Sequence, residues 1–196
     1  MRRASILIGA LLATAACAHG GQSGQGGESR ERTHPSALPR TRAERTSYAE
    51  TSTYADVIAF LDSLRRSGVP VTRQELGRTS EGRVLPLLVL SRPQVTTPEQ
   101  ARALHRPIVY VQANIHAGEV EGKEALLALV RDLASTRNNM LDSIVLIAIP
   151  IYNADGNERW QPQSVNRTEQ NGPESVGQRP NAQMLDLNRD YMKAEA

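Results

Sequence analysis

Tyr54, Val57, Ile58, Leu61 and Leu64 recur at helical spacing, and Gly68-Val69-Pro70 ends the run. Two strand-like runs follow, Val71 to Leu76 and Val84 to Ser91, around the polar, Gly-containing connection 77–83. That order predicts a hairpin. Pro107 to Ala113 and Ser143 to Ile149 are apolar runs of buried-strand type. Between them, residues 120–134 carry Ala125, Leu126, Leu129, Val130 and Leu133 on one helical face. A strand, a helix and a strand in that order imply parallel pairing with a right-handed crossover. The expected fold is therefore α/β, a mixed, largely parallel twisted sheet flanked by helices. After Pro150 the pattern stops. Residues 153–183 are polar and turn-rich, and apolar side chains return at Met184, Leu185 and Leu187. A loop of that length inside a domain is usually functional or disordered.

The N-terminus obeys a different rule. Arg2 and Arg3 precede an apolar run, Ile6 to Ala16, that is too short to span a bilayer. Small residues then lead to Cys17, which resembles a bacterial lipobox. The expectation is a signal peptide over 1–17 with Cys17 lipidated; the alternative is an ordinary secretory signal cleaved nearby. Either way the protein is exported, to the periplasm or as an outer-membrane lipoprotein, and meets membrane only through that leader or anchor. Residues 18–46 are poor in apolar side chains and are expected to be a flexible tether, with His19 and His34 solvated. The folded domain is expected over 47–196. Cys17 is the single cysteine, so no internal disulfide can form. A net charge of +2 over 196 residues gives no electrostatic case for nucleic acid.

Candidate chemistry begins at NIHAGEVEGKEALLALVRDL, residues 114–133. His116 and Glu119 stand three apart at the carboxyl end of a predicted parallel strand, the edge where open α/β sheets bind ligands. At that spacing an imidazole and a carboxylate can converge on one ion. Taken alone, the pair reads equally as a surface His and a helix-start Glu. A second cluster is Asp186-Leu187-Asn188-Arg189-Asp190. Arg189 can hold a carboxylate bidentately, Asn188 can donate beside it, and Asp186 can accept from the far nitrogen of a metal-bound His. Asn153-Ala154-Asp155-Gly156 directly follows a buried strand and is good turn chemistry. Arg167 is an isolated basic residue in the polar loop.

In order and separation, these pieces resemble the zinc metallocarboxypeptidases of the M14 family, from about Ser47 onward. The carriers are the leading helix, Leu76 to Arg83, His116-Ala117-Gly118-Glu119, Asn153-Ala154-Asp155-Gly156 and Asp186-Leu187-Asn188-Arg189. The resemblance implies one Zn2+ ion held by His116 and Glu119, with Asp186 orienting His116. It implies that Asn188 and Arg189 bind the terminal carboxylate of a peptide or protein substrate. It implies that Arg167 polarises the scissile carbonyl. Ala154 and Asp190 depart from the family's Asn-Pro-Asp-Gly and Asn-Arg-Asn patterns; an acid beside the clamp would suit a substrate carrying an amine or basic group. The family's third zinc ligand, a His, and its general-base Glu have no counterpart up to Ala196. The expectation is thus the N-terminal part of a catalytic domain, poorly stable and inactive by itself. Hydrolysis of C-terminal peptide bonds is the leading activity. An amidohydrolase or deacylase on the same fold is the alternative, as is a non-catalytic peptide- or zinc-binding lipoprotein. An adhesin with accidental motifs is a third.

Overall fold

A computed structural model describes residues 38–191. The leader, Cys17, His19 and His34 lie outside the described residues, as do 192–196. Among the described residues no helix is long and apolar enough to cross a membrane.

The stretch expected to be a tether is already ordered at its end. Helix α1 (Arg42–Arg45) starts at Thr41 with a capping box to Glu44. Glu44 also accepts from Arg131 at 2.6 Å, which pins the segment to the rest of the domain. The composition that suggested a tether hides two polar residues, Thr41 and Glu44, that satisfy each other. Helix α2 (Tyr54–Arg66) follows, capped by Thr53 with Asp56, and buries Val57, Phe60, Leu61 and Leu64.

Strands β1 (Thr72–Arg78) and β2 (Val84–Leu90) form the expected antiparallel hairpin. A short helix, α3 (Pro98–Ala103), leads to β3 (Ile108–Gln112). Helix α4 (Val120–Ser135) then connects β3 to β4 (Val145–Ile149). The sheet order is β1-β2-β4-β3. β3 and β4 are parallel, with Ile108 opposite Val145 and Gln112 opposite Ile149, whereas β2 runs antiparallel to β4. The result is a mixed α/β sheet with α2 and α4 contributing to one core with Leu88, Leu90, Leu146 and Ala148.

Two expectations are corrected. β3 reads as a buried strand, yet Tyr110 is 54% exposed and Ile108 49%. Its only partner is β4, and its other edge carries no strand among the described residues. On α4, Ala125 and Leu129 face solvent, while Lys123 and Leu127 are buried with Leu126, Val130 and Leu133. A buried ammonium is tolerable only with partners. Lys123 donates to the Ser52 carbonyl and to Asn157 Oδ1. Burial pulls its pKa down to about 8, against the opposing pull of Glu124, Glu158 and Asp56. The neighbouring Glu124 accepts from the Thr51 and Ser52 hydroxyls and the Ser52 N–H.

The region after β4 is not one long loop. It holds α5 (Ala154–Asn157), β5 (Gln161–Pro162), α6 (Gln163–Asn166) and β6 (Ser175–Val176), with β5 and β6 paired. Asp155 of α5 explains the polar hairpin connection. Its buried carboxylate accepts from Thr79 Oγ1 at 2.7 Å, the Glu81 N–H at 3.2 Å and Arg83 at 2.6 Å. Burial raises the pKa of Asp155, but these donors outweigh it and the net shift is downward. Its contribution to stability is therefore full above the unfolded carboxylate value, roughly pH 4, and fades as pH falls below it. Asp155→Asn replaces one acceptor with a donor facing donors. Chemical denaturation at pH 7 should show a loss of about 2–3 kcal/mol. The gap to wild type should narrow below about pH 4; a gap constant down to pH 2 would refute the linkage.

Candidate metal centre

The parallel ladder continues beyond the strands. The Ala113 N–H donates to the Ile149 carbonyl, Tyr152 N–H to Ala113 and Asn153 N–H to Asn114. The segments leaving β3 and β4 are thus held side by side. Asn114 takes a left-handed conformation (φ 61°), which asparagine tolerates, and turns the chain toward His116.

Three glycines let three segments stack beneath His116. Gly177 lies so close that a Cβ would meet the Gly156 carbonyl at 2.6 Å and the Ala117 Cβ at 2.8 Å. A Cβ on Gly118 would meet the Gly177 carbonyl at 3.0 Å. One on Gly156 would strike the Asn153 side chain and the Pro180 carbonyl. Backbone bonds lock the stack: the Ala117 N–H donates to Gln178, and the Gln178 N–H to Gly156. Asn153 adds its own ties. Its Oδ1 caps Gly156, and its Nδ2 donates to the carbonyls of Arg179 and Pro180.

On this platform His116 is buried between two carboxylates. Its Nε2 lies 2.8 Å from Asp186 Oδ1, and its Nδ1 lies 3.0 Å from Glu119 Oε1. The hydrogen bond from His116 is the main reason Asp186 is lowered to about 2; burial opposes it, and the Asn188 N–H and Arg179 reinforce it. An ionised Asp186 can only accept, so Nε2 carries a hydrogen and Nδ1 is the ring nitrogen turned toward Glu119. Glu119 is the N-cap residue of α4 but makes no side-chain cap bond, so its carboxylate stays available. The positive helix start favours the charge there.

Two electron-rich atoms 3.0 Å apart need a positive group between them. A proton, a guanidinium or a metal ion would serve. Imidazole nitrogen with carboxylate oxygen suits zinc, and the two atoms are close enough for one ion to touch both. His116 and Glu119 therefore fit a zinc ion as two of its ligands. No group of three or more His, Cys, Asp or Glu side chains placed to hold a metal occurs among the described residues.

A cleft of about 190 Å³ opens beside the pair, lined among others by Val165, Arg167, Glu169 and Arg179. Arg167 donates to the Gly118 carbonyl at 2.9 Å and to Glu121 at 2.8 Å, and its buried Nε has no partner. Asn188 and Arg189 are exposed and do not line this cleft; the Asn188 backbone N–H binds Asp186 Oδ1. Sequence reasoning overlooked Arg179. It contacts Asp186, His116 and Glu119, yet lies in a turn-rich stretch with no periodicity to mark it. It also overlooked Gly177, whose role is visible only once three segments meet.

Residues 57–195 match the zinc carboxypeptidase family, peptidase family M14. Among curated proteins, the chain is 27% identical to carboxypeptidase 2 of Trichophyton equinum over 128 residues, 63% of this chain and 23% of that protein. It is 29% identical to carboxypeptidase 2 of Trichophyton rubrum over 101 residues, 50% of this chain and 18% of that protein. The chain thus spans about a quarter or less of the length of these relatives. Among solved structures, a Burkholderia mallei protein described as a carboxypeptidase superposes with a TM-score of 0.50 at 23% identity, covering 76% of this chain and 33% of that one. That likeness concerns the fold.

The glycine stack predicts a specific fragility. Gly177→Ala has no room without backbone movement and should cost roughly 1–3 kcal/mol in chemical denaturation. Gly172→Ala, whose Cβ would meet nothing, is the control and should be near neutral. Equal effects for the two would refute the close-packing account.

Proposed function

Since the chain belongs to the M14 family of zinc carboxypeptidases, we propose that it acts as a zinc-dependent metallocarboxypeptidase, removing C-terminal residues from peptides or proteins. The observation that carries this reading is the convergence of His116 Nδ1 and Glu119 Oε1 while Asp186 holds the other ring nitrogen. His116 and Glu119 would hold the ion. Asp186 fixes the tautomer that leaves Nδ1 free, as outer partners of metal-bound histidines do. When bound, zinc supplies the Lewis acidity that activates water for attack on a carbonyl.

Arg167 supplies fixed positive charge at the cleft. Its buried, unpartnered Nε supports a role in binding the scissile carbonyl oxygen as negative charge develops there. Asn188 and Arg189 follow Asp186 directly and are proposed to hold the substrate's terminal carboxylate, which selects the last peptide bond. The Arg2 to Cys17 leader supports export and a lipid anchor, which would put the substrate in a bacterial cell envelope.

The test uses the full-length protein with zinc, short peptides, and mass spectrometry of the products. Wild type should release C-terminal residues one at a time and hold one zinc per chain. His116→Ala should lose both properties. Asp186→Asn should keep the ligands but lower zinc affinity roughly tenfold to hundredfold. A wild-type protein that holds no zinc and releases nothing would sink the reading.

A further inference from the structure

Arg179 is the cation already present beside the two atoms proposed to bind metal. Its Nη1 lies 3.2 Å from His116 Nδ1 and 3.7 Å from Glu119 Oε1. Its Nε and Nη2 both donate to Asp186 Oδ2, at 3.1 and 3.0 Å. The position is built, since the Arg179 carbonyl accepts from buried Asn153, so the backbone is anchored while the side chain remains half-exposed. The guanidinium thus borders both His116 Nδ1 and the Glu119 carboxylate, which lie 3.0 Å apart.

We propose that Arg179 is a resident counter-cation that holds His116 and Glu119 together in the metal-free protein and must move aside when a metal ion binds. This rests on the reading of His116 and Glu119 as metal ligands. A divalent ion on Nδ1 and Oε1 would need the space that Nη1 now borders, 3.2 Å from Nδ1 and 3.7 Å from Oε1. The same cation also repels the incoming ion. Any contact made only in the metal-free state opposes metal binding by its own free energy. Movement need not cost Asp186 its place, because Oδ1 still accepts from His116 Nε2 and the Asn188 N–H. Arg179 is therefore a positioning residue of the metal-free site.

Thermodynamic linkage gives the inference a sign. A residue that merely supports the ligands weakens zinc binding when it is removed. A counter-cation tightens binding when it is removed. The experiment measures zinc affinity of the full-length protein by competition with a chromogenic chelator, and thermal midpoints with and without zinc. Arg179→Ala should bind zinc roughly threefold to tenfold more tightly, a modest factor because the guanidinium is half in solvent. Its metal-free form should melt earlier than wild type, so its zinc-induced rise in midpoint should be larger. Arg179→Lys keeps the charge and should fall between the two, and it remains informative if the alanine variant folds poorly. Unchanged or weaker zinc binding in Arg179→Ala would overturn the counter-cation. Zinc affinity equal in wild type and His116→Ala would overturn the metal reading beneath it.

Discussion

The side chain of Asn153 has to satisfy two stretches of chain at once. Its oxygen accepts from the Gly156 N–H, and its nitrogen donates to the carbonyls of Arg179 and Pro180. It is buried, so water cannot substitute for either partner. The geometry of the candidate site hangs on this division. The turn after β4 is fixed, the 177–180 segment is laid against it, and the Ala117 N–H then binds across that segment. An aspartate at 153 could accept but not donate, and would leave the Arg179 carbonyl without its donor and Pro180 with Gln178 alone.

Charge is distributed in the same economical way. His116 lies between Glu119 and Asp186, and Arg179 contacts all three. Across the cleft, Arg167 is neutralised on one side by Glu121 and leaves Nε unused. Carboxylates and guanidinia alternate around the cleft, so each of these charges has an opposite one in contact. Such an arrangement is stiff when complete, and it responds as a unit when a member is exchanged.

Much of this was legible along the chain because it depends on local rules. Helical spacing revealed α2 and α4, apolar runs revealed β3 and β4, and strand-end placement picked out His116 and Glu119. Residue chemistry made Asp186 a possible partner of a metal-bound His, but with 70 residues between them it took the family resemblance to name His116. What stayed hidden was relational. Lys123 lies outside the apolar face that the spacing picks out, and its burial is visible only where Ser52 and Asn157 converge on it. β3 reads as buried because hydropathy reports composition and not neighbours. The residues before Ser47 look unstructured by composition, but a Thr41–Glu44 capping box needs few apolar side chains. Arg179 carries no pattern at all, and only the fold brings it to His116.

Lys123 also sets the rotational phase of α4. The helix that begins at Glu119 has a single buried ammonium one turn in, answered by a fixed carbonyl and a fixed amide oxygen. Advancing the helix by one residue turns each side chain by about 100°. That step would take the ammonium away from both of its acceptors and swing Glu119 away from His116. Intermediate angles satisfy neither end. The helix therefore has one angular setting, and the aim of a surface carboxylate is decided by a lysine that never meets solvent.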